Sequence, residues 1–186
     1  MGCSGSGKTT LTKQLSRLLH IPAVELDSIF HQPHWTSLND EEFIAQVSQV
    51  LRECPNGWIV DGNYNTALGD LVVGQANTVL WFDLPRIQVM SRVIRRSIQR
   101  VITREMLWNG NRERWSNLFH WNPEKSIIMW SWTRHQAYRD RLQKAANSAP
   151  NNQVWIRLGS QKDVDAVVKF ITSGSSDFTL FKPQPE

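Results

Sequence analysis

Apolar residues recur along this chain at two spacings that alternate. Leu11, Leu15, Leu18 and Leu19 fall on one helical face, so Lys8 to Leu19 reads as a helix. Pro22 closes that region, and Ala23-Val24-Glu25-Leu26 reads as a short strand ending at Asp27. Phe43, Val47, Val50 and Leu51 mark a second amphipathic helix, entered through the polar stretch from Thr36 to Asp40. After the turn Pro55-Asn56-Gly57, Trp58-Ile59-Val60 reads as a buried strand ending at Asp61-Gly62. Thr78-Val79-Leu80-Trp81-Phe82 is another strand, stopped by Asp83-Leu84-Pro85. The helix that follows is expected to turn Ile87, Met90, Ile94 and Ile98 inward.

A segment rich in tryptophan and arginine, from about Thr103 to Trp121, then interrupts the alternation. Ser126 to Ala145 reads as a long helix, and Val154 to Leu158 as a last strand. Ser160 and Asp163 form a capping box that opens a final helix with Val164, Val167, Val168 and Ile171 inward. Short apolar strands alternating with helices predict an α/β fold, with a parallel sheet covered on both faces. Residues 1–172 form one expected domain, and the Gly/Ser-rich tail over 173–186 reads as disordered.

The strongest chemical signal opens the chain. Gly2-Cys3-Ser4-Gly5-Ser6-Gly7-Lys8-Thr9 matches G-x-x-x-x-G-K-[ST], the phosphate-binding loop. Glycines at 2, 5 and 7 allow a turn so tight that backbone N–H groups, with those of Ser6 and Thr10, converge on phosphate oxygens. Lys8 is placed to reach the β- and γ-phosphates of ATP, and the Thr9 hydroxyl to complete a Mg²⁺ shell. The helix begins in the same stretch, so its positive end faces the anion. Such a loop should follow a buried strand, yet only Met1 precedes Gly2. The expectation is a start assigned too far downstream, which the intact downstream pattern favours over a truncated chain.

Composition narrows the class. The chain has 186 residues, enough for a core of its own. It carries no apolar run of membrane-spanning length and no signal-peptide pattern. Cys3 and Cys54 make neither a disulfide framework nor a metal spacing, which fits a cytoplasmic protein. The net charge of +4 is unevenly spread. Arg86 to Arg114 holds eight arginines against two glutamates, a surplus of six, so the remainder is negative by two. Basic character that local points to a site.

Ligands of parallel sheets bind at the carboxyl ends of strands, where Asp27, Asp61 and Asp83 fall. Asp61 is placed to hold Mg²⁺ directly or through water, and Asp27 to accept or orient an acceptor proton. Asp83, just before Leu84-Pro85, reads as a cap. Arg92, Arg96 and Arg100 share a helical face, with Arg95 beside them and no carboxylate between Arg86 and Arg104. Like charges at that spacing repel mildly, and an anion offsets the repulsion. Arg134, Arg139 and Arg141 are candidates to close on the same phosphates. Of the tryptophans, Trp58, Trp81 and Trp155 read as core. Trp108, Trp115, Trp121, Trp130 and Trp132 flank the arginines, where packing explains most of them and base stacking is the alternative. The segment Phe30 to Trp35 is placed to wall an acceptor pocket. His31 and His34 lack a third ligand and make a poor metal site.

In order and spacing these motifs resemble the adenylate kinase-like branch of P-loop kinases, from Gly2 to about Ile171. The resemblance rests on the loop, Asp27, Val60-Asp61-Gly62, Phe82-Asp83-Leu84-Pro85 and the Arg92/Arg96 pair. Within it, Glu25-Leu26-Asp27, Gln32 to Trp35, Val60 to Tyr64, Asn111 to Arg114 and the Ser126-to-Arg141 helix look like a bacterial group called DNA topology modulation proteins. The resemblance implies a three-layer P-loop NTPase fold with sheet order 2-3-1-4-5, the first strand missing here. It also implies ATP on the loop, a helical lid over about 103–125, and Arg92 and Arg96 on the transferred phosphate. True adenylate kinases continue Asp-Gly-Phe-Pro-Arg after this strand to grip AMP. Asp61-Gly62-Asn63-Tyr64-Asn65 departs from that, and with Trp35 suggests a hydrogen-bonding, aromatic pocket.

The expected function is therefore ATP- and Mg²⁺-dependent phosphoryl transfer to a nucleotide or another small acceptor. Lys8, Asp27, Arg92 and Arg96 are the expected catalytic groups. Gly2, Gly5 to Thr10 and Arg134 are expected to bind the nucleotide, and Thr9 and Asp61 the metal. A nucleic-acid binder using the Arg/Trp segment is the alternative from another class, disfavoured because the arginines share the loop's side. An inactive kinase fold is the third.

Overall fold

The computed structural model describes residues 1–118 and 126–174. Trp121, the end of the expected lid and nearly all of the expected tail lie outside the described residues. Two parallel strand pairs and eight α-helices make up the described fold. The α/β alternation and the parallel pairing follow the sequence pattern.

Helix α1 (Lys8–Leu19) starts at Gly7, whose φ of 102° is left-handed and needs glycine. Leu11 and Leu15 are buried, but Leu18 and Leu19 are about two-fifths exposed, so the inward stripe is narrower than the leucine spacing predicts. Strand β1 (Ala23–Glu25) pairs with β2 (Ile59–Asp61) in the register Ala23↔Ile59, Val24↔Val60, Glu25↔Asp61. Between them come α2 (Leu26–Phe30), a 3-10 turn at Pro33–Trp35, and α3 (Asp40–Arg52). The Asn39 side chain caps α3 by accepting from the Glu42 N–H, and three acidic residues occupy its first turn. Phe43, Val47 and Leu51 of α3 bury against Val24, Leu26 and Leu68 of the short helix α4 (Asn65–Leu68).

Strand β3 (Thr78–Phe82) pairs with β4 (Val154–Leu158) along their whole length. Both faces of this pair are covered, as alternation requires. Val79, Trp81 and Trp155 meet Leu142 of α7 (Ile127–Asn147) on one side. Phe82, Ile156 and Leu158 meet α1, α5 (Arg86–Thr103) and α8 (Gln161–Thr172) on the other. Trp81 and Trp155 are core, as their strand positions predict, while Trp58 is only half-buried. The capping box on α8 forms as expected.

Two expectations are corrected. The inward face of α5 is Val89, Met90, Val93, Ser97 and Val101, whereas Ile87 is 81% exposed and Ile94 and Ile98 about 40%. Asp27 does not close β1 but sits in the first turn of α2. The described residues give two separate parallel pairs, β1-β2 and β3-β4, with no named strand between them. Met1–Gly2 runs beside β3, the Met1 amine donating to Leu80 O at 2.6 Å and Phe82 N–H to Met1 O at 3.0 Å. Among the described residues no helix is long and apolar enough to cross a membrane.

Candidate functional site

The loop before α1 folds because its glycines sit where side chains cannot. A Cβ on Gly5, which has φ +81°, would lie 2.5 Å from Val93 Cγ2 and 2.9 Å from Val89 O. Helix α5 is thereby pressed onto the loop. A Cβ on Gly2 would strike Phe82 at 2.8 Å. Gly2 is thus a close-approach residue beside β3, outside the cavity that the rest of the loop lines.

That cavity, of about 410 Å³, is bounded by Gly5 to Leu11, by Arg92 and Arg96 of α5, and by Gln14, Phe82, Gln161 and Val164. No side chain caps the N-terminus of α1 and no acid occupies its first turn, in contrast to α3 and α8. Its leading N–H groups are therefore free to meet an anion. Lys8 Nζ donates to Cys3 O at 3.0 Å across the loop. Burial lowers the Lys8 pKa, against the pull of Asp61 and Asp27. Arg92 donates to Ser6 O at 3.3 Å and Arg96 to Ser4 Oγ at 2.7 Å, so two rungs of the arginine ladder converge on the loop. Burial, then repulsion from Arg100, lowers the Arg96 pKa. Arg100 leaves the ladder for Glu113 at 3.0 Å and Glu105 at 3.7 Å.

Asp61 ends β2 under α1. Its Oδ2 accepts the Thr9 hydroxyl, while its Oδ1 is buried with no partner. A buried carboxylate oxygen without a partner beside a threonine hydroxyl suits a hard divalent cation, so the residues present fit Mg²⁺. Asp27 lies close enough to act electrostatically on both Lys8 and Arg96. Its Oδ1 accepts from Tyr64 Oη at 2.6 Å, and His31 Nε2 stands 3.5 Å from the same hydroxyl. Burial holds the His31 pKa below its ordinary value, and burial followed by Asp27 drives that of Tyr64 upward.

The segment after α5 is mostly irregular, with a 3-10 turn at Trp108–Gly110 and the one-turn helix α6 (Trp115–Leu118). It is fastened to the connection after α2. Asn111 accepts from the Trp35 N–H at 2.8 Å and donates to Gln32 O at 2.9 Å, while Asn109 donates to His31 O at 2.6 Å. Trp108 Nε1 donates to Glu25 at 3.1 Å, and Trp35 Nε1 to Arg112 O at 3.1 Å. Asn109, His34 and Trp35 all have positive φ, near 60°. The sequence pattern does not mark Asn109 and Asn111 as site residues. Their signal is the residue type itself, since asparagine tolerates left-handed backbone and bonds main-chain groups.

Other arginines lie elsewhere. Arg139 and Arg157 pair with Asp83, whose side chain is only 3% exposed, so Asp83 is an ion-pair centre joining β3, β4 and α7 rather than a cap. Arg141 donates to Thr66 Oγ1 at 3.1 Å. Arg134 is exposed on α7 and is not among the residues that line the cavity. Asn63, expected in the acceptor pocket, is turned to Gly2: its Oδ1 accepts the Gly2 N–H at 3.1 Å and its Nδ2 donates to Gly2 O. No family model matches the chain, and no curated protein matches it.

Proposed function

We propose that the chain is a cytoplasmic phosphotransferase of three-layer P-loop NTPase type, using Mg-ATP and a small-molecule acceptor. One observation carries this: an uncapped helix N-terminus, Lys8, Arg92 and Arg96 converge on a single cavity that is also lined by Thr9, whose hydroxyl bonds Asp61. Those are the groups that hold and neutralise a polyphosphate. The backbone from Gly5 to Thr10 cradles the phosphates, and Lys8 exchanges the Cys3 carbonyl for a phosphate oxygen. Arg92 and Arg96 meet charge that spreads onto the transferred group. Thr9 and Asp61 hold Mg²⁺, which when bound offsets phosphate charge. Asp27 takes the acceptor proton. The arginine ladder is turned into the loop and onto Glu105 and Glu113, which speaks against a nucleic-acid groove.

Equilibrium binding of Mg-ATP and ADP release with a mixed acceptor pool test the proposal. Lys8→Ala is expected to remove both while leaving circular dichroism and the unfolding midpoint near wild type. Binding and turnover unchanged in that variant would sink it.

A further inference from the structure

Resting on that reading of the loop as the donor site, we infer that Ser4 and the Arg100–Glu113 ion pair are positioning groups for Arg96. The Ser4 hydroxyl holds its guanidinium against the loop, and Arg100 occupies the carboxylate that would otherwise draw it away. The two arginines that reach the cavity are held differently. Arg92 donates to a main-chain atom, Ser6 O, at 3.3 Å. Arg96 donates to a side chain, Ser4 Oγ, at 2.7 Å, and its Nε is buried with no partner. That contact depends on one removable hydroxyl. Ser4 is not among the residues that line the cavity, whereas Arg96 is, so Ser4 acts on the cavity through Arg96. The turn itself fixes Ser4, since Ser6 N–H donates to Cys3 O at 3.2 Å around it.

What competes with Ser4 is a carboxylate. Arg96 and Arg100 lie one helical turn apart on the same face of α5. Of the carboxylates that act on Arg96, Glu113 acts most strongly, ahead of Asp27 and Glu105. Glu113 is only 11% exposed. It belongs to the segment that Asn111 fastens to Gln32 and Trp35, which keeps it beside the helix. Arg100 claims it at 3.0 Å and reaches Glu105 at 3.7 Å. A carboxylate that buried is costly to leave unpaired. With Arg100 in place Glu113 is paired, and Arg96 is left to Ser4. Without the Arg100 charge, Arg96 is the next guanidinium on that face, and turning to Glu113 takes it off the loop. An ion pair that only braces the fold predicts the same loss from either side. A pair that sorts the arginines predicts harm from losing Arg100 and none from losing Glu113.

Calorimetry with Mg-AMP-PNP reads this without an acceptor. Failure of wild type to bind it overturns the reading of the loop on which the inference rests. Where wild type binds, Arg96→Ala should weaken affinity about 10-fold or more, and Ser4→Ala about 3- to 10-fold. Ser4→Ala added to Arg96→Ala should cost less than about a further 2-fold, because its effect passes through Arg96. Arg100→Met keeps the bulk of the stem and should weaken binding about 3- to 10-fold, although Arg100 lines no part of the cavity. Glu113→Gln should stay within about 2-fold of wild type, and adding it to Arg100→Met should restore that level. Urea unfolding accompanies every variant. Should Arg100→Met not fold alone, its double variant with Glu113→Gln decides, since it leaves no unpaired carboxylate at that position. Binding there within about 2-fold of wild type supports the inference, and weaker binding overturns it. Wild-type affinity in Ser4→Ala, or losses that add in the Ser4–Arg96 pair, overturns the role of Ser4. Equal losses from Arg100→Met and Glu113→Gln, no loss from Arg100→Met, or a loss that Glu113→Gln fails to recover overturns the role of the ion pair.

Discussion

Removing the Asn63 amide should unfasten the loop from β2, at a cost measurable in stability. The Asn63 side chain makes two bonds to one residue, accepting the Gly2 N–H and donating to Gly2 O. It serves the backbone N–H and C=O of Gly2 much as a neighbouring strand would, because a carboxamide presents the same donor and acceptor as a backbone amide. Both bonds are half-buried. Each contributes about 1 kcal/mol net, and a stranded buried partner costs about 1–3 kcal/mol. Asn63→Ala should therefore lose about 2–4 kcal/mol, against a total of about 5–15 kcal/mol for a typical domain. With a urea slope of about 2 kcal/mol/M, the midpoint should fall by about 1–2 M at unchanged slope. Asn63→Asp gives the sharper contrast: it can still accept the N–H but faces the Gly2 carbonyl with a charged acceptor. It should be no more stable than the alanine variant. Mg-ATP affinity should weaken in both, through displacement of the loop. An alanine variant within about 0.5 kcal/mol of wild type, altered only in acceptor KM, would refute this reasoning and return Asn63 to the acceptor pocket.

Further expectations follow from single contacts. Gly5→Ala places a methyl 2.5 Å from Val93 Cγ2 at a left-handed φ; about 2–5 kcal/mol should be lost in urea unfolding, and Gly5→Ala with Val93→Ala should recover part of it. Asp83→Asn removes a buried carboxylate from Arg139 and Arg157, which are about half exposed and can turn to water. A loss of about 1–3 kcal/mol is expected, shrinking as salt rises, and a salt-independent loss would contradict the ion-pair assignment. Burial lowers the His31 pKa from its ordinary 6.5, so His31 stays neutral in the fold while the unfolded chain binds a proton. Its share of stability is full above about pH 6.5 and fades as pH falls below that toward the folded value. His31→Gln should flatten stability between pH 7 and 5; an unchanged profile would remove His31 as a titrating group.

The sequence shows the elements more clearly than their surroundings. Strands with continuous apolar runs, such as Thr78 to Phe82, and helices with written caps, such as Ser160 with Asp163, are fixed locally and appear where the pattern places them. Helix α5 is different, since Val89–Val93–Val101 and Ile87–Ile94–Ile98 both satisfy a helical period. What decides between them is the bare backbone of Gly5, which accepts Val93 at a distance no side chain permits. That is tertiary information. Asp27 departs from its expected strand end for a smaller reason: β1 stops at Glu25 and α2 takes Leu26 and Asp27. The arginine ladder was legible as a face, but its division was not. Arg92 and Arg96 go to the loop and Arg100 to carboxylates contributed from beyond the helix.

Of the six buried side-chain atoms without a partner among the described residues, three lie where chemistry is proposed and three, Arg86 Nε, Ser97 Oγ and Ser131 Oγ, do not. Among the described residues, the buried side-chain atoms without a partner include Ser6 Oγ in the loop, Asp61 Oδ1 beneath it and Arg96 Nε above it. Lys8 adds a cation whose charge burial opposes. Each is a cost to folding, and a core built for stability alone would pair them or replace them with carbon. The three at the loop belong to different elements, and Thr9 already spans from α1 to Asp61. A polyphosphate with its cation would satisfy a hydroxyl, a carboxylate oxygen and a guanidinium at once. On the proposed function, the same folded arrangement that is locally unfavourable would be preorganised for that ligand, with little reorganisation left to oppose binding.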